Sequence, residues 1–174
     1  LHKANENGDS PIVVAFKNIL PTEASIVSKL LAMPGFDVNQ SQNDGVTPLF
    51  LACSGEHPDI VRQLLGQQDI NVNVVETKTG MTPLAHACHL GHLECVKLLV
   101  ADNRIDVNHA DNQGRTPLFH GCSTSSTLCV DIVTALLSVN TIVINTADNR
   151  GMTPFGVAME RSNQDVATVV PSFG

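Results

Sequence analysis

The chain has no Trp and no Tyr, and its six Phe leave it only 3% aromatic. A large aromatic core is therefore excluded, and the interior must be built from Leu, Val, Ile and Ala, small side chains that suit closely stacked helices. No stretch approaches the roughly eighteen uninterrupted apolar residues of a membrane span, and residue 1 opens neither a basic n-region nor an apolar h-region, so the sequence reads as soluble. Charged residues are sparse, at 16%, and acids outnumber bases for a net charge of −7. That argues against non-specific binding to nucleic acid, which needs a basic stripe, and against anionic membrane surfaces. Also missing are a Gly-rich phosphate loop, a nucleophile elbow and an HExxH string, so nothing points to catalysis or to a cofactor. The cysteines Cys53, Cys88, Cys95, Cys122 and Cys129 are odd in number and lie without disulfide spacing in apolar segments, which fits a reducing intracellular compartment, cytoplasmic or nuclear.

What the chain has is a hydrophobic fraction of 43% and one motif written five times. GDSPIVVAF from Gly8, GVTPLFLAC from Gly45, GMTPLAHAC from Gly80, GRTPLFHGC from Gly114 and GMTPFGVAM from Gly151 are spaced 37, 35, 34 and 37 residues apart. A second string, FDVN, INVN, IDVN or IVIN, ends at Asn39, Asn73, Asn108 and Asn145, and apolar pairs such as IVRQLL lie between the two. Ser10, Thr47, Thr82, Thr116 and Thr153 each precede a Pro, so the hydroxyl can cap free backbone N–H groups while Pro takes the first helical position. The Gly two residues before each allows a tight tip, and Asp111 and Asp148, with Asn5 in the matching place, can bond their own turn backbone. Leu49, Ala52 and Cys53 then share one helix face, as do Ile60, Val61, Leu64 and Leu65 in the next helix. Neither helix can bury its stripe alone; stacking on a neighbouring copy does so.

With these motifs the sequence resembles the ankyrin repeat family, whose unit of about 33 residues joins a turn, a TPLH-type helix start and a second helix. The resemblance implies an all-α solenoid of stacked helix-turn-helix units with hairpin-like tips, a single array over 1–174 with repeats near 1–37, 38–72, 73–107, 108–144 and 145–174. Extra residues around Leu20 to Ser25 and Thr124 to Val130 account for the two longest spacings and should lengthen helix links. The first copy begins in hairpin phase, as at a repeat boundary of a longer protein. In the last, Pro171 should stop the second helix and leave Gln164 and Asp165 exposed, as in a cap or a cut.

The densest chemical cluster holds His86, Cys88, His89, His92 and Cys95, which are zinc-ligand types. Repeat phase instead makes Cys88 and Cys95 core residues and His92 the family's GH histidine, leaving His89 exposed, so no metal site is expected. The resemblance implies a non-catalytic protein-interaction module, monomeric, whose groove is lined by hairpin tips and the exposed ends of first helices. By position these are Asn43, Asp44 and Val46; Lys78, Thr79 and Met81; Asn112, Gln113 and Arg115; Asn149, Arg150 and Met152; and Ser54, His89, Leu90, Ser123, Glu160 and Arg161 on the helices. The partner-binding candidates among them are Lys78, Met81, His89, Leu90, Gln113, Arg115, Arg150, Met152 and Arg161. From repeat three onward the groove set holds Lys78, Arg115, Arg150 and Arg161 against Glu160, with acids such as Asp59, Asp69, Glu94, Asp102 and Asp131 assigned to second helices and outer links, so this part of the groove reads as basic, suited to a protein with an acidic or polar segment. Met81 and Leu90 read as apolar anchors outside the core. The alternative is a regulatory or tethering segment of a larger enzyme or channel. The resemblance also makes Asn39, Asn73 and Asn145, each eight positions after a Leu, candidates for asparaginyl hydroxylation.

Overall fold

A computed structural model describes residues 24–161 and 164–170. Among these residues the secondary structure is helical, with no strand: α1 Ala24–Leu31, α2 Pro48–Ser54, α3 Pro58–Leu65, α4 Pro83–Leu90, α5 Leu93–Val100, α6 Pro117–Ser123, α7 Cys129–Leu137, α8 Pro154–Glu160 and α9 Gln164–Val169. The first tip, Ser10 and the helix expected after it lie outside the described residues, as do Leu20 to Glu23 and Pro171.

Helix starts follow the Thr-Pro signal. Thr47, Thr82, Thr116 and Thr153 hold extended N-cap backbones, and their hydroxyls accept from the amides of Phe50, Ala85, Phe119 and Gly156. Each such cap contributes about 1 kcal/mol. Helices of six to nine residues are too short to persist alone, so packing must hold them. They form two layers. In one, α2, α4, α6 and α8 stack in series; in the other, α1, α3, α5, α7 and α9 do the same, and each pair α2–α3 to α8–α9 closes across the layers.

The interface between layers is the core. Leu49, Val61, Leu64, Leu84, Val96, Leu99, Leu118, Ile132 and Leu136 are fully or almost fully shut from solvent within one continuous cluster. Each contributes about 2 to 3 kcal/mol of burial free energy, so a unit gains its stability from the neighbours that cover it. All five cysteines are buried in this core, and none forms a disulfide. Burial pushes the Cys88 thiol far up and that of Cys122 to about 12, which keeps both protonated.

Two sets of polar bonds register one unit on the next. On one edge Asn39, Asn73 and Asn108 form a ladder. Asn73 donates through Nδ2 to the Arg104 carbonyl at 2.8 Å and accepts at Oδ1 from the Asp106 amide at 2.9 Å. Asn39 does the same to Asp69 and Asn71, and Asn108 to Thr141 and Val143. On the other edge the tips are tied laterally by main-chain bonds: Thr77 N–H to the Asp44 carbonyl, Asn112 to Thr79 and Asn149 to Gln113. Of the second insert, expected around Thr124 to Val130, Thr124 to Leu128 lie in the link between α6 and α7, while Cys129 and Val130 open α7.

Candidate functional site

Each described tip is closed by two backbone bonds, to which an acid adds in the tips before α4, α6 and α8, while Gln42 holds that position before α2. In the tip before α6 the Asp111 amide donates to the Arg115 carbonyl at 2.9 Å and the Gly114 amide to Asp111 at 2.9 Å; the tip before α8 repeats this with Asp148, Met152 and Gly151. Asp111 Oδ1 accepts from the Gln113 and Arg115 amides, and Asp148 Oδ1 from those of Arg150 and Met152. Glu76 performs this task before α4, where its carboxylate takes the Lys78 and Thr79 amides and the Thr79 hydroxyl. Burial alone would raise the Asp111 pKa, but hydrogen bonds from Arg115, its amide, Gln113 and His120 outweigh it and hold the carboxyl below the usual range. Glu76 is lowered by the same contest, and Asp148 chiefly by the Met152 amide.

These acids correct the charge reading. The tips are not simply basic. Arg115 Nε and Nη2 sit 2.9 and 2.8 Å from Asp111 Oδ2, leaving the Arg115 side chain 23% exposed. Arg150 touches Asp148 with Nε alone, at 3.3 Å, and projects with its side chain 78% exposed, while Lys78, equally exposed, lies 4.0 Å from Asp44. The geometry separates the charges: carboxylates lie buried against backbone amides, and guanidinium and ammonium groups stand outside them.

The apolar anchors are corrected likewise. Met81 is 6% exposed and packs with Val46, Phe50 and Ala85 in a small cluster beneath the tips. The reason is positional. The residue after each tip Gly carries the chain back to the helix cap, so its side chain turns toward the first helices; Val46 is buried there too, and Met152 is half-buried against the core. Leu90, at the far end of α4, is 41% exposed. His89, Gln113 and Arg161 are exposed as well.

The histidine-cysteine cluster is dispersed by the stack. His86 stacks on Phe50 with ring centroids 4.5 Å apart, Cys88 and Cys95 enter the core, and His92 donates from Nδ1 to the Cys53 carbonyl of the preceding unit at 2.8 Å. His89 lies edge-on to His120, at 5.5 Å between centroids. Among the described residues, no three metal-ligating side chains gather.

Two shallow depressions meet at His89. One, of about 360 Å³, is bounded by Lys78, Thr79, Met81 and His86; the other, of about 570 Å³, by Leu90, Arg115, Arg150 and Arg161. Seven of the nine candidates thus line these two depressions, His89 both of them, while Gln113 and Met152 line neither. Sequence reasoning missed Phe119, Val157 and the hydroxyls of Thr124 to Ser126, which line the larger depression. The extra residues of that copy were the available signal.

The fold and its face define a class: an array of helix pairs whose tips and first helices build a continuous surface. Residues 1–111 and 68–148 match the family described as ankyrin repeats (3 copies), and the chain belongs to the ankyrin repeat family. A solved structure, that of EF0377, an ankyrin repeat protein, superposes with a TM-score of 0.84 over 98% of this chain and 84% of that one, at 22% identity. No curated protein matches the sequence. Ankyrin repeats are in general protein-interaction modules. No helix among the described residues is long and apolar enough to cross a membrane.

Proposed function

We propose that this array is a non-catalytic, intracellular interaction module that holds a protein partner on the face of tips and first helices. The observation that carries this reading is a set of side chains with little structural work to do. Lys78, His89, Leu90, Gln113, Arg150 and Arg161 are exposed along one face, whereas the acids of the same tips are consumed by their own backbone. Exposed cations at such a rim steer an acidic or polar segment and raise its association rate, and Leu90 supplies apolar contact that slows departure.

The test compares three proteins in one interaction screen: wild type, a face variant carrying Leu90→Ala and Arg161→Glu, and an outer variant carrying Arg62→Glu on α3 and Glu94→Gln on α5. A partner retained by the outer variant and lost from the face variant supports the assignment. In binding kinetics Arg161→Glu should slow association most at low salt, and Leu90→Ala should shorten the complex's lifetime by about 1 kcal/mol. Loss from the outer variant alone would move the site to the second helices.

A further inference from the structure

We infer that the cleft between α4, α6 and α8 is a subsite for one carboxylate of an extended acidic peptide, with a neighbouring apolar side chain of that peptide seated against Leu90 and Val157. This rests on the reading of the tip-and-first-helix face as the docking surface, and it places the acid at one point rather than along the whole line of tips.

Three observations carry it. First, the cations here differ in freedom. Arg115 is held by Asp111, but Arg150 spends only Nε on Asp148, and the Arg161 side chain has no hydrogen-bond or ion-pair partner among the described residues. Two guanidinium groups with open edges on one cleft fit a planar carboxylate, which takes paired N–H donors.

Second, the insert before α7 walls the cleft with hydroxyls. It is docked firmly: the Thr124 hydroxyl donates to the His89 carbonyl at 3.1 Å, and the Ser126 side chain lies against Gly91, where an added Cβ would come within 2.4 Å of it. Gly91 sits at φ +84°, so the α4 terminus is shaped for this contact. The Ser126 hydroxyl accepts from the Leu128 amide, whereas Ser125 is exposed with no partner among the described residues and is available as a further donor.

Third, the lining includes apolar side chains, exposed Leu90 together with Phe119 and Val157, which are almost fully buried. A cleft of about 570 Å³ accepts two adjacent side chains, one charged and one aliphatic. Glu160 on the rim, with Asp111 and Asp148 behind two of the arginines, limits the positive potential. That balance suits a singly charged carboxylate better than a doubly charged phosphate, and it disfavours a nucleic-acid backbone.

A display library of random twelve-residue peptides, selected on the full chain and counted against the Arg161→Glu variant, tests the inference. The expected winners carry Asp or Glu beside Leu, Ile, Val or Met. A synthetic winner labelled with fluorescein should lose at least tenfold in affinity, read by anisotropy at low salt, on Arg161→Glu and on Arg150→Gln, and less than twofold on Lys78→Gln. Both arginines are exposed, so unchanged melting curves separate lost binding from lost fold. Winners without an acid, or a winner that binds only after phosphoserine replaces its acid, overturn the inference, as does a selection yielding nothing that depends on Arg161. Winners sensitive to Lys78→Gln and Leu90→Ala but not to Arg161→Glu would sink this subsite while leaving the face intact as the docking surface. Winners indifferent to every face variant and lost on Arg62→Glu would remove both.

Discussion

The imidazole Nε2 of His120 donates to Oδ2 of Asp111 at 3.0 Å, and both side chains are sealed from solvent, at 1% and 0% exposure. Because Arg115 binds the same carboxylate oxygen from outside, helix α6 and the tip before it are locked through one atom. Burial is the chief cause of the low His120 pKa, near 4, with the Asp111 hydrogen bond opposing it only in part. Folding therefore keeps this ring neutral between about pH 4 and its unfolded value near 6.5, where the unfolded chain holds one more proton. Stability should fall as pH drops through that window, at up to about 1.4 kcal/mol per pH unit. His86, also lowered by burial, adds in the same direction. His120→Gln keeps an N–H for Asp111 but cannot titrate. Urea melts at stepped pH should show a shallower decline for this variant between pH 6.5 and 4.5, and an unchanged slope would sink the account.

The asparagine ladder separates one copy from the others. Asn73→Ala removes two bonds between neighbouring units and should cost about 1 to 3 kcal/mol, softened by water at this edge. Asn145 is exposed and makes no such pair among the described residues, so Asn145→Ala should change the urea midpoint little. Equal losses at both positions would contradict the ladder's role.

Gly80 and Gly151 share positive φ, +74° and +82°, but not their surroundings. A Cβ on Gly80 would stand 2.5 Å from Asn112 Oδ1 and 2.8 Å from its backbone nitrogen, whereas on Gly151 it would meet nothing within 4 Å. Gly151→Ala should cost only the left-handed strain of about 1 to 2 kcal/mol. Gly80→Ala should cost more, since the next tip must move, and a thermal melt of the two variants side by side decides it.

Met81→Ala should lower stability by about 2 kcal/mol or more because it empties part of a buried cluster, while exposed Leu90→Ala should stay within about 0.5 kcal/mol. Denaturant titration checks both values. Any binding loss measured for Met81→Ala must be compared with its melting curve before it is assigned to the face.

The Thr-Pro caps, the tip glycines and the link between α6 and α7 were legible because each is a local signal repeated in phase. A hydroxyl before Pro needs no distant neighbour to start a helix. The fates of Arg115 and Met81 were not, because they depend on which way a five- or six-residue tip turns its side chains. Asp111 and Asp148 were recognised as turn acids, yet their reach to Arg115 and Arg150 is a contact across the turn that spacing does not reveal. Glu76 was missed altogether, since a longer carboxylate takes the place that Asp holds in its sister tips. The VN asparagines were visible as a string, and their recurrence at about one repeat length was the only hint that they join units.

Five thiols buried at unit boundaries make the chain its own reporter of breathing. Cys53, Cys88 and Cys122 lie on the first helices, Cys95 and Cys129 on the second, so each is sheltered by the pair it belongs to and by an adjacent pair. A thiol reagent in solution can reach them only when those pairs part. The order in which the sulfurs are labelled would record, without any engineered probe, where along the stack separation starts and how far it spreads before the whole array comes undone.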